Sequence, residues 1–107
     1  MLPRQQHLLN ALNACPAARN ECFAGNLAAP DGAPAARSIQ LTRDCADLCQ
    51  LVAAFVARGS EHVKFLLREC AELCRACADE ETQLPPDYCR RCTDACRQAD
   101  NACRTAY

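Results

Sequence analysis

The last stretch of the chain contains no aliphatic side chain from which a core could be built. Residues 86–107 include no Leu, Ile, Val, Met or Phe. Their cysteines and one alanine recur at steps of three, four, three and four residues, which is the spacing of the buried face of a helix in a bundle. These positions are Cys89, Cys92, Cys96, Ala99 and Cys103. Wherever this helix packs, sulfur has to replace aliphatic carbon in the core.

Three groups of helix-breaking residues divide the chain into four helical stretches. Residues 25–34 are rich in Gly and Pro, Gly59 and Ser60 fit a helix end followed by an N-cap, and residues 84–87 contain two prolines. We predict helices at about residues 3–24, 34–58, 61–82 and 86–105, with a kink or a late start at Pro16. Short connections make successive helices antiparallel. The 107 residues are therefore predicted to form one all-α domain, an antiparallel up-down-up-down four-helix bundle with a cysteine-lined core.

The first three predicted helices carry cysteines at spacings of three, four or seven residues, which place them on one face of each helix. They are Cys15, Cys22, Cys45, Cys49, Cys70, Cys74 and Cys77. With the four cysteines of the last helix they make eleven. All eleven are candidate metal ligands.

Antiparallel register predicts which cysteines meet. A turn at Gly59 places Cys49 level with Cys70 and Cys45 level with Cys74, and the first connection brings Cys15 near Cys45. A turn near residues 83–84 pairs the third helix with the fourth. The predicted pairs there are Cys77 with Cys89, Cys74 with Cys92, and Cys70 with Cys96. In this register Cys103 lies apart from the other thiols, among the aliphatic residues at the opposite end of the bundle.

Cysteines three or four residues apart on a helix have Cβ atoms about 5–6 Å apart, so a pair can bind one low-coordinate ion between its sulfurs. Copper(I) accepts low coordination numbers and prefers thiolate ligands. Without metal, the buried thiols are expected to stay neutral and to pack as small hydrophobic side chains. The pattern therefore predicts a copper(I)-binding protein that sequesters the metal on inward-facing thiolates.

Other interpretations remain open at this point. Thiolates converging from several helices can hold an iron–sulfur cluster. The spacing of Cys74 with Cys77 and of Cys89 with Cys92 is also that of a zinc ribbon, although both pairs continue in helical phase and seven other cysteines would have no role. A third possibility is a structural or interaction protein whose thiols serve only for packing.

Composition and charge argue against several other classes of function. A net charge of −1 and only five aromatic residues give no surface suited to nucleic acid or to an anionic membrane. His7 and His62 are predicted to lie at the surface, and neither has a cysteine at its level, so no catalytic site is expected. The first residues lack the apolar run of a signal peptide, which predicts a cytoplasmic location.

Four segments resemble the cytosolic copper storage proteins, a family of cysteine-rich four-helix bundles. They are DCADLC (residues 44–49), RGSE (58–61), ECAELCRACADEE (69–81) and CRRCTDAC (89–96), and the resemblance covers most of residues 42–103. The resemblance implies copper(I) as the cargo, inward thiolates as the ligands and a homo-oligomer, commonly a tetramer. The cysteines at matching positions are Cys45, Cys49, Cys70, Cys74, Cys77, Cys89, Cys92 and Cys96.

The chain departs from this family pattern at three positions. Arg19, Glu81 and Ala99 stand where a fuller pattern has cysteine. The resemblance therefore implies fewer ligands and a lower copper capacity than the full pattern provides.

Overall fold

The computed structural model describes residues 2–28, 36–81 and 90–106, with side chains described for residues 2–21, 39–80 and 90–106. Its elements are α1 (Pro3–Ala28), α2 (Ala36–Arg58), α3 (Val63–Glu81) and α4 (Arg90–Thr105). Helix α1 packs against α2 and α4, and α3 packs against the same two helices. The four helices enclose one core in a bundle that measures 45 × 20 × 18 Å. The predicted four-helix bundle is confirmed.

The turn between α2 and α3 fixes the register of the two helices. Gly59 has a φ of +70°, a left-handed conformation that favours glycine at the end of a helix. The N–H of Gly59 donates to the carbonyl of Val56 at 3.1 Å, and the N–H of Ser60 donates to that of Phe55 at 3.0 Å. The Ser60 hydroxyl then accepts from the N–H of His62 at 3.2 Å and caps α3. The predicted roles of Gly59 and Ser60 are confirmed, with α3 beginning two residues later than predicted, at Val63.

Helix α1 is longer than predicted. It begins at Pro3, continues through Pro16 and ends at Ala28 rather than at residue 24. One glycine costs a helix only about 1 kcal/mol relative to alanine. Because α1 packs against both α2 and α4, tertiary contacts outweigh that local preference at Gly25. The predicted ends of the other helices near residues 34, 82 and 86 lie outside the described residues.

The core has an aliphatic half and a sulfur half. Leu8, Leu12, Val52, Val56 and Val63 are buried together toward the α2–α3 turn. The buried cysteines continue the same core toward the other end of the bundle. None of the described helices is both long and apolar enough to cross a membrane.

Replacing Gly59 by Ala should destabilise the protein by about 1–2 kcal/mol, because an L-residue is strained in the left-handed conformation. A Cβ at this position has no atom within 4 Å, so a steric clash adds nothing to that cost. Urea unfolding under reducing conditions measures the difference. Gly59→Asn is the control and should lose less stability than Gly59→Ala, since asparagine tolerates this conformation. Equal stability of wild type and Gly59→Ala would contradict the assignment of the turn.

Candidate metal centre

Four cysteines from three helices bring their sulfur atoms together in the core. They are Cys15 on α1, Cys45 and Cys49 on α2, and Cys74 on α3. All four sulfurs lie within 4.8 Å of one another, and all four side chains are buried. We call these four residues the sulfur cluster.

The distances within the cluster confirm the register predicted from the Gly59 turn. The Sγ atom of Cys74 lies 3.5 Å from that of Cys45 and 3.7 Å from that of Cys49. Cys15 joins through Cys45, at 3.9 Å. Cys70 extends the line, with its Sγ atom 3.8 Å from that of Cys49. Since Cys45 with Cys49 and Cys70 with Cys74 are each one helical turn apart, two turns of α2 face two turns of α3.

The predicted register between α3 and α4 is wrong by about two helical turns. Arg104 on α4 pairs with Glu72 on α3 at 3.2 Å, and the thiol of Cys103 interacts with that of Cys70. Cys96 lies seven residues before Cys103, about 10 Å along the helix, so it is not level with Cys70. The predicted pair of Cys74 with Cys92 fails for the same reason.

The contacts of α4 change which of its residues face the cluster. Cys103 lies beside Cys70, and Ala99, four residues earlier and fully buried, is near the level of the cluster. The predicted turn at residues 83–84 and the predicted helix start at residue 86 lie outside the described residues. Cys103 is therefore continuous with the other thiols rather than apart from them. The predicted pair of Cys77 with Cys89 lies outside the described residues.

The remaining candidate ligands lie farther along the same core. Cys77 is buried with its Sγ atom 3.9 Å from the Thr42 hydroxyl oxygen. Cys92 and Cys96 are buried on α4. Cys22 and Cys89 lie outside the described side chains. The candidate ligands whose side chains are described, all of them buried free thiols, are Cys15, Cys45, Cys49, Cys70, Cys74, Cys77, Cys92, Cys96 and Cys103.

The two histidines lie at the surface. His7 is exposed. The side chain of His62 is 67% exposed and lies 3.9 Å from the Glu61 carboxylate. Neither is among the buried residues that surround the thiols, as the sequence predicts.

Sequence reasoning missed the burial of Arg19. Its side chain is fully buried although it carries a positive charge. Arg19 lies one helical turn after Cys15, on the same face of α1. The pKa of Cys15 is lowered mainly by hydrogen bonding with Cys45, and the charge of Arg19 adds a smaller effect in the same direction. The spacing that places cysteine at 15 and 22 also places residue 19 on the buried face, so the signal for its burial was present in the sequence. A buried cation favours negative charge on the neighbouring sulfurs.

Hydrogen bonding within the cluster makes two of its four thiols easier to ionise and two harder. Hydrogen bonding with Cys45 is the largest cause that lowers the pKa of Cys15. Hydrogen bonding with Cys15, and then with Cys45 and Cys49, raises the pKa of Cys74. Hydrogen bonding with Cys15 opposes ionisation of Cys45, but the hydrogen bonds with Cys49 and Cys74 outweigh it and lower the pKa of Cys45 to about 5. Cys49 and Cys74 act as donors to these thiolates, so both keep their protons and have a raised pKa. Full deprotonation of the cluster therefore requires a bound cation.

This geometry fits single soft ions placed between the sulfurs. Copper(I) prefers thiolates and accepts few ligands, so each close pair is a candidate two-coordinate site. One tetrahedral zinc ion, with Zn–S bonds of about 2.3 Å, would place its ligands about 3.8 Å apart and also matches the observed spacing. An iron–sulfur cluster inserts its own iron and sulfide atoms between the thiolates, so these sulfurs would have to move apart to bind one.

Comparison with known proteins favours copper among these ions. The sequence model of a family described as "Copper storage protein" matches residues 2–107. The cysteine-rich protein YhjQ of Bacillus subtilis strain 168 is 32% identical over 81 residues, which is 76% of this chain and 75% of that protein.

Solved structures of copper storage proteins share the fold at similar identity. The copper(I)-bound copper storage protein BsCsp3 is 29% identical with a TM-score of 0.91, covering 96% of this chain and 97% of that one. The metal-free copper storage protein 3 from Bacillus subtilis is 30% identical with a TM-score of 0.85, covering 94% and 96%. A Streptomyces lividans copper storage protein loaded with 10 copper equivalents is 28% identical with a TM-score of 0.86, covering 96% and 83%.

Replacing Cys45 by Ala should raise the pKa of Cys15 in the metal-free protein, because it removes the hydrogen-bond partner that lowers this pKa most. The pH dependence of the Cys15 ¹³Cβ chemical shift measures the change. Val63→Ala, a truncation in the aliphatic half of the core, should leave the titration unchanged. If Cys15 titrates at the same pH in the Cys45→Ala variant and in wild type, the thiols do not share a proton as described.

Proposed function

The chain belongs to the copper storage protein family, and on that premise we propose that the sulfur cluster is where it first binds and holds copper(I). The protein binds copper(I) through its cysteines. The family stores metal rather than catalysing a reaction, in line with the prediction that the chain is not an enzyme. The specific assignment of Cys15, Cys45, Cys49 and Cys74 as the first ligands is our proposal.

The observation that carries this proposal is the convergence of four buried sulfurs within 4.8 Å of one another. Because the helices already hold these atoms at ligand spacing, little conformational entropy is lost when an ion binds. Each ion that binds displaces thiol protons. Arg19 contributes a fixed positive charge beside Cys15, which offsets the negative charge of a cluster that holds fewer ions than thiolates.

Further ions are expected to fill outward from the cluster along the same core. The Sγ atom of Cys70 lies 3.8 Å from that of Cys49, and the thiol of Cys103 interacts in turn with that of Cys70. Toward the other end, Cys77 lies one turn beyond Cys74. We propose that the remaining cysteines of the chain bind these later ions, with Arg19, Glu81 and Ala99 in place of cysteine reducing the total capacity.

Zinc at the same cluster is the alternative that the spacing of the sulfurs favours. The two metals differ in the number of ions bound per chain. One tetrahedral zinc ion uses all four thiolates, whereas copper(I) at two or three sulfurs per ion leaves thiolates for further ions. Cys70 and Cys103 continue the sulfur line beyond the cluster and have no role in a single zinc site.

We propose a cytoplasmic location and a homo-oligomer, a tetramer by resemblance to the family. A related protein from Streptomyces lividans is described as cytosolic. Free thiols in the core are typical of a reducing compartment. Phe65 on α3 is 76% exposed and Leu51 on α2 is 47% exposed. Large apolar side chains on the surface are candidates for contacts between copies of the chain.

Anaerobic titration with copper(I) against a competing chelator tests the proposed function. The wild type should bind at least about two ions tightly, because the four thiolates of the cluster can serve two two-coordinate ions. Cys74→Ala should lower the affinity for the first copper ion by at least about tenfold. Mutation of a mere hydrogen-bond partner of a metal ligand already lowers metal affinity by about 10–100-fold. Saturation below about two ions, or displacement of copper(I) by one equivalent of zinc, would contradict copper storage.

Val56→Ala is the matched control for this titration. It truncates a buried side chain in the aliphatic half of the core and removes no thiol. It should lower the stability of the protein and leave the affinity for the first copper ion unchanged. An equal loss of affinity for the first copper ion in Cys74→Ala and Val56→Ala would mean that Cys74 acts through the stability of the fold and not as a ligand.

Sedimentation equilibrium tests the oligomer. The wild type should have the mass of four chains, and Phe65→Glu should reduce it, because a buried unpaired charge opposes association. Leu2→Glu, at an apolar residue outside the proposed contact, is the control and should leave the mass unchanged. A monomeric wild type would refute this part of the proposal.

A further inference from the structure

A cationic pocket opens between α3 and α4, outside the sulfur cluster. Its volume is 570 Å³. The lining residues are Lys64, Leu67, Arg68, Ala71, Cys103 and Arg104. We call it the α3–α4 pocket. Three of these six side chains are positively charged at neutral pH, whereas the chain as a whole carries a net charge of −1.

The charge of the pocket is only partly neutralised. Arg104 pairs with Glu72 and with Asp100. Lys64 and Arg68 are both exposed, and among the described residues no acidic side chain forms an ion pair with either. Two positive charges therefore remain available to an anionic ligand.

A line of sulfur atoms connects this pocket with the sulfur cluster. Cys103 lines the pocket although only 6% of its surface is exposed. It interacts with Cys70, and Cys70 lies 3.8 Å from Cys49 in the cluster. Among the described cysteines, Cys103 alone lines the pocket. An ion bound at Cys103 can thus reach the cluster by exchange between neighbouring thiolates without entering water.

We propose that the α3–α4 pocket receives copper(I) from an anionic complex of the ion with two small-molecule thiolates, and that Cys103 is the first protein ligand. This inference rests on the proposed function and adds a route by which the cluster is loaded from the side of the bundle. The ligand class follows from the pocket: the exposed cations attract an anion, and the thiol at the base accepts a soft ion.

The transfer is a ligand exchange with no change of oxidation state. The complex Cu(SR)₂⁻ reacts with the thiols of Cys103 and Cys70 and gives a copper(I) ion bound by two protein thiolates and two free RSH molecules. Two Cu–S bonds break and two form, and the two cysteine protons leave on the RSH molecules. The net charge of −1 passes from the complex to the protein site, where Lys64 and Arg68 stabilise it. Repetition of this exchange with Cys49 moves the ion into the cluster.

Stopped-flow loading from copper(I)–glutathione, with full-length metal-free protein under anaerobic conditions, tests the route. The difference in ultraviolet thiolate-to-copper absorption between the glutathione complex and the loaded protein, calibrated on the two end states, reports transfer. Cys103→Ser should slow the first phase of loading at least tenfold, while chelator titration shows that the affinity of the cluster for its first ion is kept. This division between rate and affinity separates a route from a merely structural role. An unchanged rate in Cys103→Ser overturns the proposal.

A pair of charge-reversal variants tests the pocket independently of the thiol. Arg68→Glu and Arg97→Glu make the same change in net charge at exposed residues, and only Arg68 lines the pocket. With the anionic glutathione complex, Arg68→Glu should load at least threefold more slowly than Arg97→Glu. With a cationic copper(I) acetonitrile complex, that order should disappear or reverse. Equal loading of the two variants from the anionic complex overturns the assignment.

These outcomes are distinct from failure of the proposed function. If the wild type takes up no copper(I) at equilibrium, the storage function fails. If the wild type saturates normally and both Cys103→Ser and Arg68→Glu load at its rate, storage stands and copper reaches the cluster by another route.

Discussion

Contact between cysteine side chains in the bundle core is the interaction on which the rest of the structure depends. Cysteine is small, so helices lined with it must approach closely to exclude voids. That approach leaves sulfurs from adjacent helices 3.5–3.9 Å apart. The packing that replaces an aliphatic core therefore also produces the ligand spacing of a metal centre. Fold and site are the same set of contacts.

This double use of the thiols links the charge of the core to its copper content. Without copper, the cluster does not hold four thiolates, because the pKa of Cys49 and of Cys74 is raised while that of Cys15 and of Cys45 is lowered. Each copper(I) ion brings a positive charge that allows further thiols to ionise. Copper(I) binds more tightly to the preformed sites of the folded bundle than to the unfolded chain. Loading with copper therefore also stabilises the fold. The positive charge of the buried Arg19 favours thiolates in the core whether or not copper is bound.

The parts of the site that could be predicted from sequence are those fixed by a short, well-defined turn. Gly59 and Ser60 determine how α2 meets α3, and the contacts of Cys49 with Cys70 and of Cys45 with Cys74 follow from that turn. The connection from α3 to α4 has no comparable signal, since its prolines allow the turn at several positions. The register there was predicted about two helical turns away from where Cys103 and Arg104 place it. Periodicity determined the buried face of α4 correctly but not its position along the axis.

Two further features run against the local preference of the residues involved. Helix α1 continues past Gly25 because it packs against two neighbours, although the local composition predicts a turn. The burial of Arg19 was visible as helical phase, but a charged residue is rarely fully buried, so composition argued against it. Both cases show packing in the bundle outweighing the local preference of a single residue.

The most direct test of the account is anomalous X-ray diffraction at the copper edge from crystals loaded anaerobically with about one copper(I) ion per chain. If the sulfur cluster binds the first ion, a single dominant peak should lie among the sulfurs of Cys15, Cys45, Cys49 and Cys74. A dominant peak at the exposed histidines, or at Cys92 and Cys96 with the cluster empty, would contradict it.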